Sequence, residues 1–268
     1  RVTKWKKGDR VASIFNGTHY KGSDPDDEEV KSGLGGAWDG MLSQYVVLPE
    51  ASIVRIPDHL SYEEAATLPC AAVTAYNALY GLTGRELRAG DVVLAEGTGG
   101  VSIFAMQFAT AAGAKCVITS SSDEKLAIAK KVAPNPNLVF TINYKKNPKW
   151  DEEVLKLVGP VDHVVEVGGN KTVGQAFNAL KRGGVVSSIG FVGGGSEAHD
   201  CMLSTLAKNC VLRGILVGSR GMFEDMNRLI DTHKIKPLGT LPRIQRIPIM
   251  WCSNCCSDPT FHTRRGPG

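Results

Sequence analysis

Val92-Val93-Leu94-Ala95-Glu96-Gly97-Thr98-Gly99-Gly100-Val101-Ser102 is the stretch on which the reading of this chain turns. Val92–Ala95 is short and apolar throughout, the pattern of a strand buried on both faces. Glycines follow it, and then an apolar stretch of helical length, Val101–Ala112. Glycines between a strand and a helix let the chain turn tightly and bring backbone N–H groups close to a pyrophosphate. The helix N-terminus adds partial positive charge. Against the spacing G-x-G-x-x-G, Ser102 stands where the third glycine belongs. A residue that small still permits close helix–strand contact. A glycine-rich turn with no ligand is the alternative at this point.

The same alternation runs on both sides of the motif. Strands are predicted at Val92–Ala95, Lys115–Thr119, Leu138–Ile142, His163–Val167, Val185–Ile189 and Val211–Val217. Helices are predicted near Val101–Ala112, Asp123–Lys131, Asp151–Leu157, Thr172–Leu180, Leu203–Lys208 and Met222–His233. Apolar strands alternating with helices predict an α/β fold, a parallel sheet covered by helices on both faces.

Upstream the texture differs. Residues 1–60 carry short alternating bursts, Arg10–Phe15, Ser43–Leu48 and Ser52–Ile56, separated by glycines and prolines. Short antiparallel strands are expected there. The acidic run Asp24–Glu29, between Gly22 and Gly40, reads as a solvated loop. Residues 61–85 read as a helix with Ser61 as its cap and Glu64 completing a capping box, kinked at Pro69. Residues 241–268, rich in Pro, Arg and Cys, fit no period and read as a non-native or disordered tail.

Composition excludes several classes. Of 268 residues, 43% are hydrophobic and 22% charged, which rules out global disorder. No apolar run reaches the ~18 residues of a membrane helix. The net charge is +4, of which residues 241–268 supply +3 through Arg243, Arg246, Arg264 and Arg265 against Asp258. The remainder offers no basic stripe for nucleic acid. Seven cysteines without framework spacing (Cys70, Cys116, Cys201, Cys210, Cys252, Cys255, Cys256) point to a reducing, cytoplasmic setting. The basic start has no apolar segment behind it and no initiator Met, so a piece of a longer chain is expected.

The end of the second strand bears on the cofactor. Cys116-Val117-Ile118-Thr119 runs into Ser120-Ser121-Ser122-Asp123-Glu124-Lys125. NAD sites usually place an acidic residue there against the ribose 2′-hydroxyl. Three serines and Lys125 suit a 2′-phosphate instead, by hydrogen bonds and opposite charge. Asp123 is then expected to cap the following helix. NADP(H) is favoured; NAD(H) with Asp123 on the ribose is the alternative.

Several stretches in order resemble the medium-chain dehydrogenase/reductases, specifically the zinc-independent, quinone-oxidoreductase-like branch with its enoyl reductase domain. They are Trp5–Val11, Gly40–Pro49, Leu68–Tyr76, Gly97–Val101, Ile142-Asn143-Tyr144 and Lys181-Arg182-Gly183-Gly184. The resemblance covers residues 1 to about 240. It implies a partial GroES-like β domain over residues 1–60. Over residues 61–240 it implies a linker helix and a Rossmann NADP(H)-binding domain. It places Gly97, Thr98, Gly99, Gly100 and Val101 on the pyrophosphate, and Ser121, Lys125 and Tyr144 around the 2′-phosphate. Thr74 would lie near the nicotinamide, as the candidate catalytic residue. Gly168, Gly169, Ile189 and Gly190 would line the groove, and Tyr45 would stand on the substrate wall.

The zinc-dependent branch carries four close cysteines in a lobe matching Tyr20–Gly40, where this chain has none. Cys70 matches one catalytic zinc ligand of that branch, but a catalytic site needs about three. Cys252, Cys255, Cys256 and His262 offer donors without a second spaced pair. The implied reaction is hydride transfer to or from a carbonyl, quinone or activated C=C bond of a small molecule. A homodimer through the sheet edge at Val211–Val217 is also implied. The alternatives are a nucleotide-binding fragment without turnover, a zinc-dependent alcohol dehydrogenase, and an S-adenosylmethionine methyltransferase. The last would want an acidic residue where the serines stand.

Overall fold

The computed structural model describes residues 2–190, 193 and 198–238. The expectations for residues 241–268, including the cysteines and His262 there, lie outside the described residues.

Near the start, β1 (Val11–Ser13) pairs antiparallel with β2 (Ile53–Arg55). Between them, α1 (Asp27–Lys31) forms where a loop was expected. Asp26 and Glu29 complete a capping box, and Asp27, Glu28 and Glu29 load the positive end of the helix with carboxylates. No strand forms at Ser43–Leu48. A strand needs a ladder partner, and no described segment pairs with this one, which leaves Leu42 and Val47 exposed.

The chain from Ser61 to Tyr80 is kinked at Pro69, as the sequence predicts. Ser61 and Glu64 close a capping box on α2 (Tyr62–Ala65). Pro69 removes a helical N–H, and the chain passes through one wide turn at Leu68–Ala72 before α3 (Val73–Tyr80).

Six strands follow: β3 (Val92–Ala95), β4 (Lys115–Ser120), β5 (Val139–Asn143), β6 (Val161–Glu166), β7 (Leu180–Ser188) and β8 (Val211–Gly214). All neighbours are parallel, in the order β5-β4-β3-β6-β7-β8. The connecting helices are α4 (Gly100–Ala111), α5 (Asp123–Lys131), α6 (Trp150–Val158), α7 (Val173–Ala179) and α8 (Cys201–Lys208), and α9 (Arg220–His233) follows β8. Every residue of β3 is buried, because helices cover both faces.

One core lies between the sheet and α3, α4 and α9, where Phe104, Phe108, Phe223 and Met226 pack. The other lies under α6 and α7, around Trp150, Val154 and Phe177. A fully buried side chain the size of Phe108 contributes ~2–3 kcal/mol. β8 is shorter than predicted. Val217 takes a left-handed φ of 54°, and its carbonyl accepts from Asn77 Nδ2 at 2.9 Å. That contact bends the chain off the edge towards α3.

From β3 the chain proceeds to β4 and β5 on one side. It then returns past β3 to β6 on the other side. The strand order therefore reverses between β3 and β6, and a crevice opens beyond their carboxyl ends.

Candidate cofactor site

The turn from β3 into α4 is held by its neighbours. The Gly97 N–H donates to Thr119 Oγ1 on β4 at 3.0 Å, and Thr98 Oγ1 lies 3.4 Å from Ser120 Oγ. Ser102 Oγ donates to the Glu96 carbonyl at 2.5 Å. This explains why serine replaces the expected glycine: it is small, buried and ties helix to strand. Gly97 has φ +74°, a conformation open to glycine at little cost. Gly99 caps α4 and has no side chain to satisfy the first-turn amides. A Cβ built on Gly97 or Gly99 would meet no heavy atom within 4 Å. The turn therefore leaves open space on the side of these two glycines at a helix N-terminus, an arrangement suited to a pyrophosphate. Behind them the wide turn closes in: a Cβ on Gly100 would lie 3.1 Å from Ala71 Cβ.

At the end of β4 the serines divide their work. Ser122, not Asp123, caps α5, accepting from the Lys125 N–H at 3.3 Å. Ser120 Oγ accepts from the Ser122 N–H at 3.3 Å. The Ser121 hydroxyl and the Lys125 ammonium have no partner among the described residues. Asp123 turns aside to Lys146 Nζ at 2.5 Å and Asn143 Nδ2 at 2.8 Å. Those bonds, Lys146 first, hold its carboxyl below the usual range. The Tyr144 N–H donates to the Ser120 carbonyl at 3.0 Å, which brings Tyr144 to the same strand end.

The far wall is the turn from β6 into α7. Glu166 Oε1 accepts from the Gly168 and Gly169 N–H groups at 3.0 and 2.9 Å and from the Thr172 hydroxyl at 2.5 Å. A Cβ at Gly168 would collide with Thr172 Oγ1 at 2.2 Å, so this turn requires glycine. The Ile189 N–H donates to the Glu166 carbonyl at 2.9 Å, which sets Ile189 and Gly190 beside Gly168 and Gly169. Thr74 is buried on α3, and its hydroxyl donates to the Cys70 carbonyl at 2.8 Å. Tyr45 is exposed in the segment that forms no strand.

The structure thus sets Gly97–Val101, Ser121, Lys125, Tyr144, Gly168, Gly169, Ile189 and Gly190 after the carboxyl ends of β3, β4, β5, β6 and β7, while Thr74 lies on α3 and Tyr45 in the segment that forms no strand. It adds Thr119, Asn143 and the two carboxyls of Glu96 and Glu166. The signal for that pair was a glutamate after each of two apolar runs, Val92–Ala95 and Val164-Val165. Burial first, then the Glu166 charge, pushes the Glu96 carboxyl well above its ordinary value.

Among the described residues, no group of three or more His, Cys, Asp or Glu is placed to hold a metal. Cys70 belongs to no such group among the described residues.

The family described as zinc-binding dehydrogenase matches residues 100–232. A zinc-type alcohol dehydrogenase-like protein of Schizosaccharomyces pombe is 46% identical over 244 residues, 88% of this chain and 68% of the relative. The crystal structure of a putative alcohol dehydrogenase from Sinorhizobium meliloti 1021 superposes with a TM-score of 0.78 at 40% identity. It covers 88% of this chain and 68% of its own. A 2-octenoyl-CoA carboxylase reductase, solved with NADP and 2-octenoyl-CoA, superposes with a TM-score of 0.62 at 25% identity. It covers 71% of this chain and 46% of its own. The chain therefore spans about two thirds of the length of the first two relatives.

Proposed function

The chain belongs to the medium-chain dehydrogenase/reductase family of oxidoreductases, and we propose that it uses NADP(H) to transfer hydride to or from a carbonyl, quinone or activated C=C bond without zinc. One observation carries the choice of cofactor: Asp123 is engaged by Lys146 and Asn143, while the polar groups of Ser121 and Lys125 beside it have no partner among the described residues. An acidic residue occupied in this way is a poor acceptor for a ribose 2′-hydroxyl. A free hydroxyl and a free ammonium suit a 2′-phosphate. The NADP-bound reductase structure supports the same choice.

Gly97–Val101 would hold the pyrophosphate on the α4 N-terminus, and Ser121, Lys125 and Tyr144 the 2′-phosphate. Gly168, Gly169, Ile189 and Gly190 would line the far wall of the groove. The bound cofactor supplies the hydride. Thr74 is the candidate beside the nicotinamide. Its proton is committed to Cys70, so towards a ligand it offers lone pairs and would accept from an amide N–H. With no zinc donor set among the described residues, polarisation of the substrate falls to hydroxyl or amide donors and water, Tyr45 being a candidate on the substrate wall. The family match covers residues 100–232, which include no Cys70 and no Tyr20–Gly40 lobe. The reading extends to a cytoplasmic enzyme that pairs with a second copy along β8.

Calorimetric titration with NADPH and NADH, followed by a panel of carbonyl, quinone and enoyl substrates, tests the reading. Preferential NADPH binding with turnover is expected. NADPH binding without consumption would favour a nucleotide-binding role. Preference for NADH would return the ribose contact to Asp123. Zinc-stimulated turnover would overturn the zinc-free assignment.

A further inference from the structure

Ala95 on β3 lies opposite Val165 on β6, so the next residues, Glu96 and Glu166, close two neighbouring strands at the point where the strand order reverses. Strand alternation sets both on the face of the sheet that carries Leu94 and Val164. They are 3% and 1% exposed. Glu166 has three donors, the Gly168 and Gly169 amides and the Thr172 hydroxyl. Neither oxygen of Glu96 has a hydrogen-bond partner of standard geometry. The carboxyl that bears on it is that of Glu166.

Two buried carboxyls this close do not both ionise at neutral pH. Three donors are aimed at Glu166 and none of standard geometry at Glu96, so Glu96 is the member of the pair built to hold the proton. The other groups acting on Glu96 are the Thr172 hydroxyl and the Gly168 amide, and from α8 the Cys201 thiol feels the Glu166 charge. From the β3–α4 turn, Ser102 is spent on the Glu96 carbonyl. None of these groups is a cation.

We propose that Glu96 and Glu166 form a positioning pair: sharing one proton, they fasten the Gly97–Gly100 turn to the Gly168–Thr172 turn, and loss of that proton weakens dinucleotide binding. Glu96 precedes the phosphate cradle directly, and Glu166 organises the opposite wall through its own turn. A second negative charge there repels Glu166 and adds to the field that a pyrophosphate must enter. The proposal rests on the nucleotide-site reading given above.

The test is the NADPH dissociation constant of the full chain from pH 6.5 to 9, beside Glu96→Gln. A glutamine amide still donates to Glu166 but does not titrate. Wild type should lose affinity by about tenfold for each pH unit by which cofactor binding shifts the pair. Glu96→Gln should keep the low-pH affinity and show a flatter profile, the comparison cancelling the ligand's own titration. A wild-type profile no steeper than that of Glu96→Gln overturns the proposal while leaving the site reading intact. No binding at any pH overturns both the site reading and this coupling. A carboxyl 13C NMR titration of the free chain reads the pair without cofactor. One glutamate titrating well above the ordinary range, and missing from Glu96→Gln, supports the shared proton; its absence from wild type overturns it.

Discussion

The Arg213 guanidinium on edge strand β8 donates to Asn77 on α3 twice, to Oδ1 at 2.7 Å and to the carbonyl at 3.3 Å. Asn77 passes the link on: its Nδ2 donates to the carbonyls of Ser23 and Val217 at 3.0 and 2.9 Å. One buried amide thus joins the sheet edge, the bend after it and the loop before α1. Asn77→Ala would leave Arg213 and two carbonyls short of partners. At about 1 kcal/mol for each bond, the expected loss is on the order of 3 kcal/mol by urea unfolding. A loss below ~1 kcal/mol would show that the network is not holding these segments.

Gly97→Ala separates the cradle from the fold. The new Cβ meets nothing within 4 Å, but φ is +74°. The left-handed conformation costs ~1–2 kcal/mol, so a modest drop in Tm with an intact circular dichroism spectrum is expected. Dinucleotide affinity should fall by about tenfold or more, because the methyl enters the space a pyrophosphate needs. Unchanged affinity in calorimetry would move the phosphate site elsewhere.

Lys125→Ala addresses the choice of cofactor. Loss of a charge-assisted contact to the 2′-phosphate should raise the NADPH dissociation constant by about tenfold and leave that of NADH unchanged. Equal effects on both ligands would reduce Lys125 to an ordinary surface lysine.

His163 makes stability depend on pH. Burial lowers its pKa, and Asp91, 3.7 Å away, pulls only partly against this. The folded state therefore favours neutral imidazole. As pH falls below about 6.5, the unfolded chain takes up a proton that the folded chain resists, so stability falls. Urea unfolding at successive pH values from 7.5 down to 5.5 should show this slope, and His163→Gln should flatten it. An identical slope in the variant would assign the effect to other groups.

The outer face of α8 exposes Met202 at 86% and Leu206 at 78%, beside Leu212 on edge strand β8. Such apolar exposure at a sheet edge suits a self-complementary contact. Light scattering should find a dimer for the wild-type chain and a monomer for Leu206→Glu. A wild-type monomer at tens of micromolar would dispose of the pairing.

Much of the fold was legible because its signals are local. Runs such as Val92–Ala95 need burial on both faces, and glycines at 97, 99 and 100 allow only a tight turn before a helix. The Ser61–Glu64 box and the Pro69 kink are written within a few residues of where they act. Local signals also misled. Ser43–Leu48 alternates like a strand but has no described ladder partner. The choice between Ser122 and Asp123 as helix cap depended on Asn143 and Lys146, which draw Asp123 away from a neighbouring strand end.

By itself, then, the sequence determined the alternating α/β plan, the glycine-rich turn after β3 and the serine-rich end of β4, since each is encoded within one short window. Only the tertiary structure decided that Glu96 and Glu166 meet, that Asp123 is occupied, and that Arg213 reaches Asn77. Each of those depends on strand order and helix packing, which bring together residues 20 to 136 positions apart, and no local periodicity carries that information.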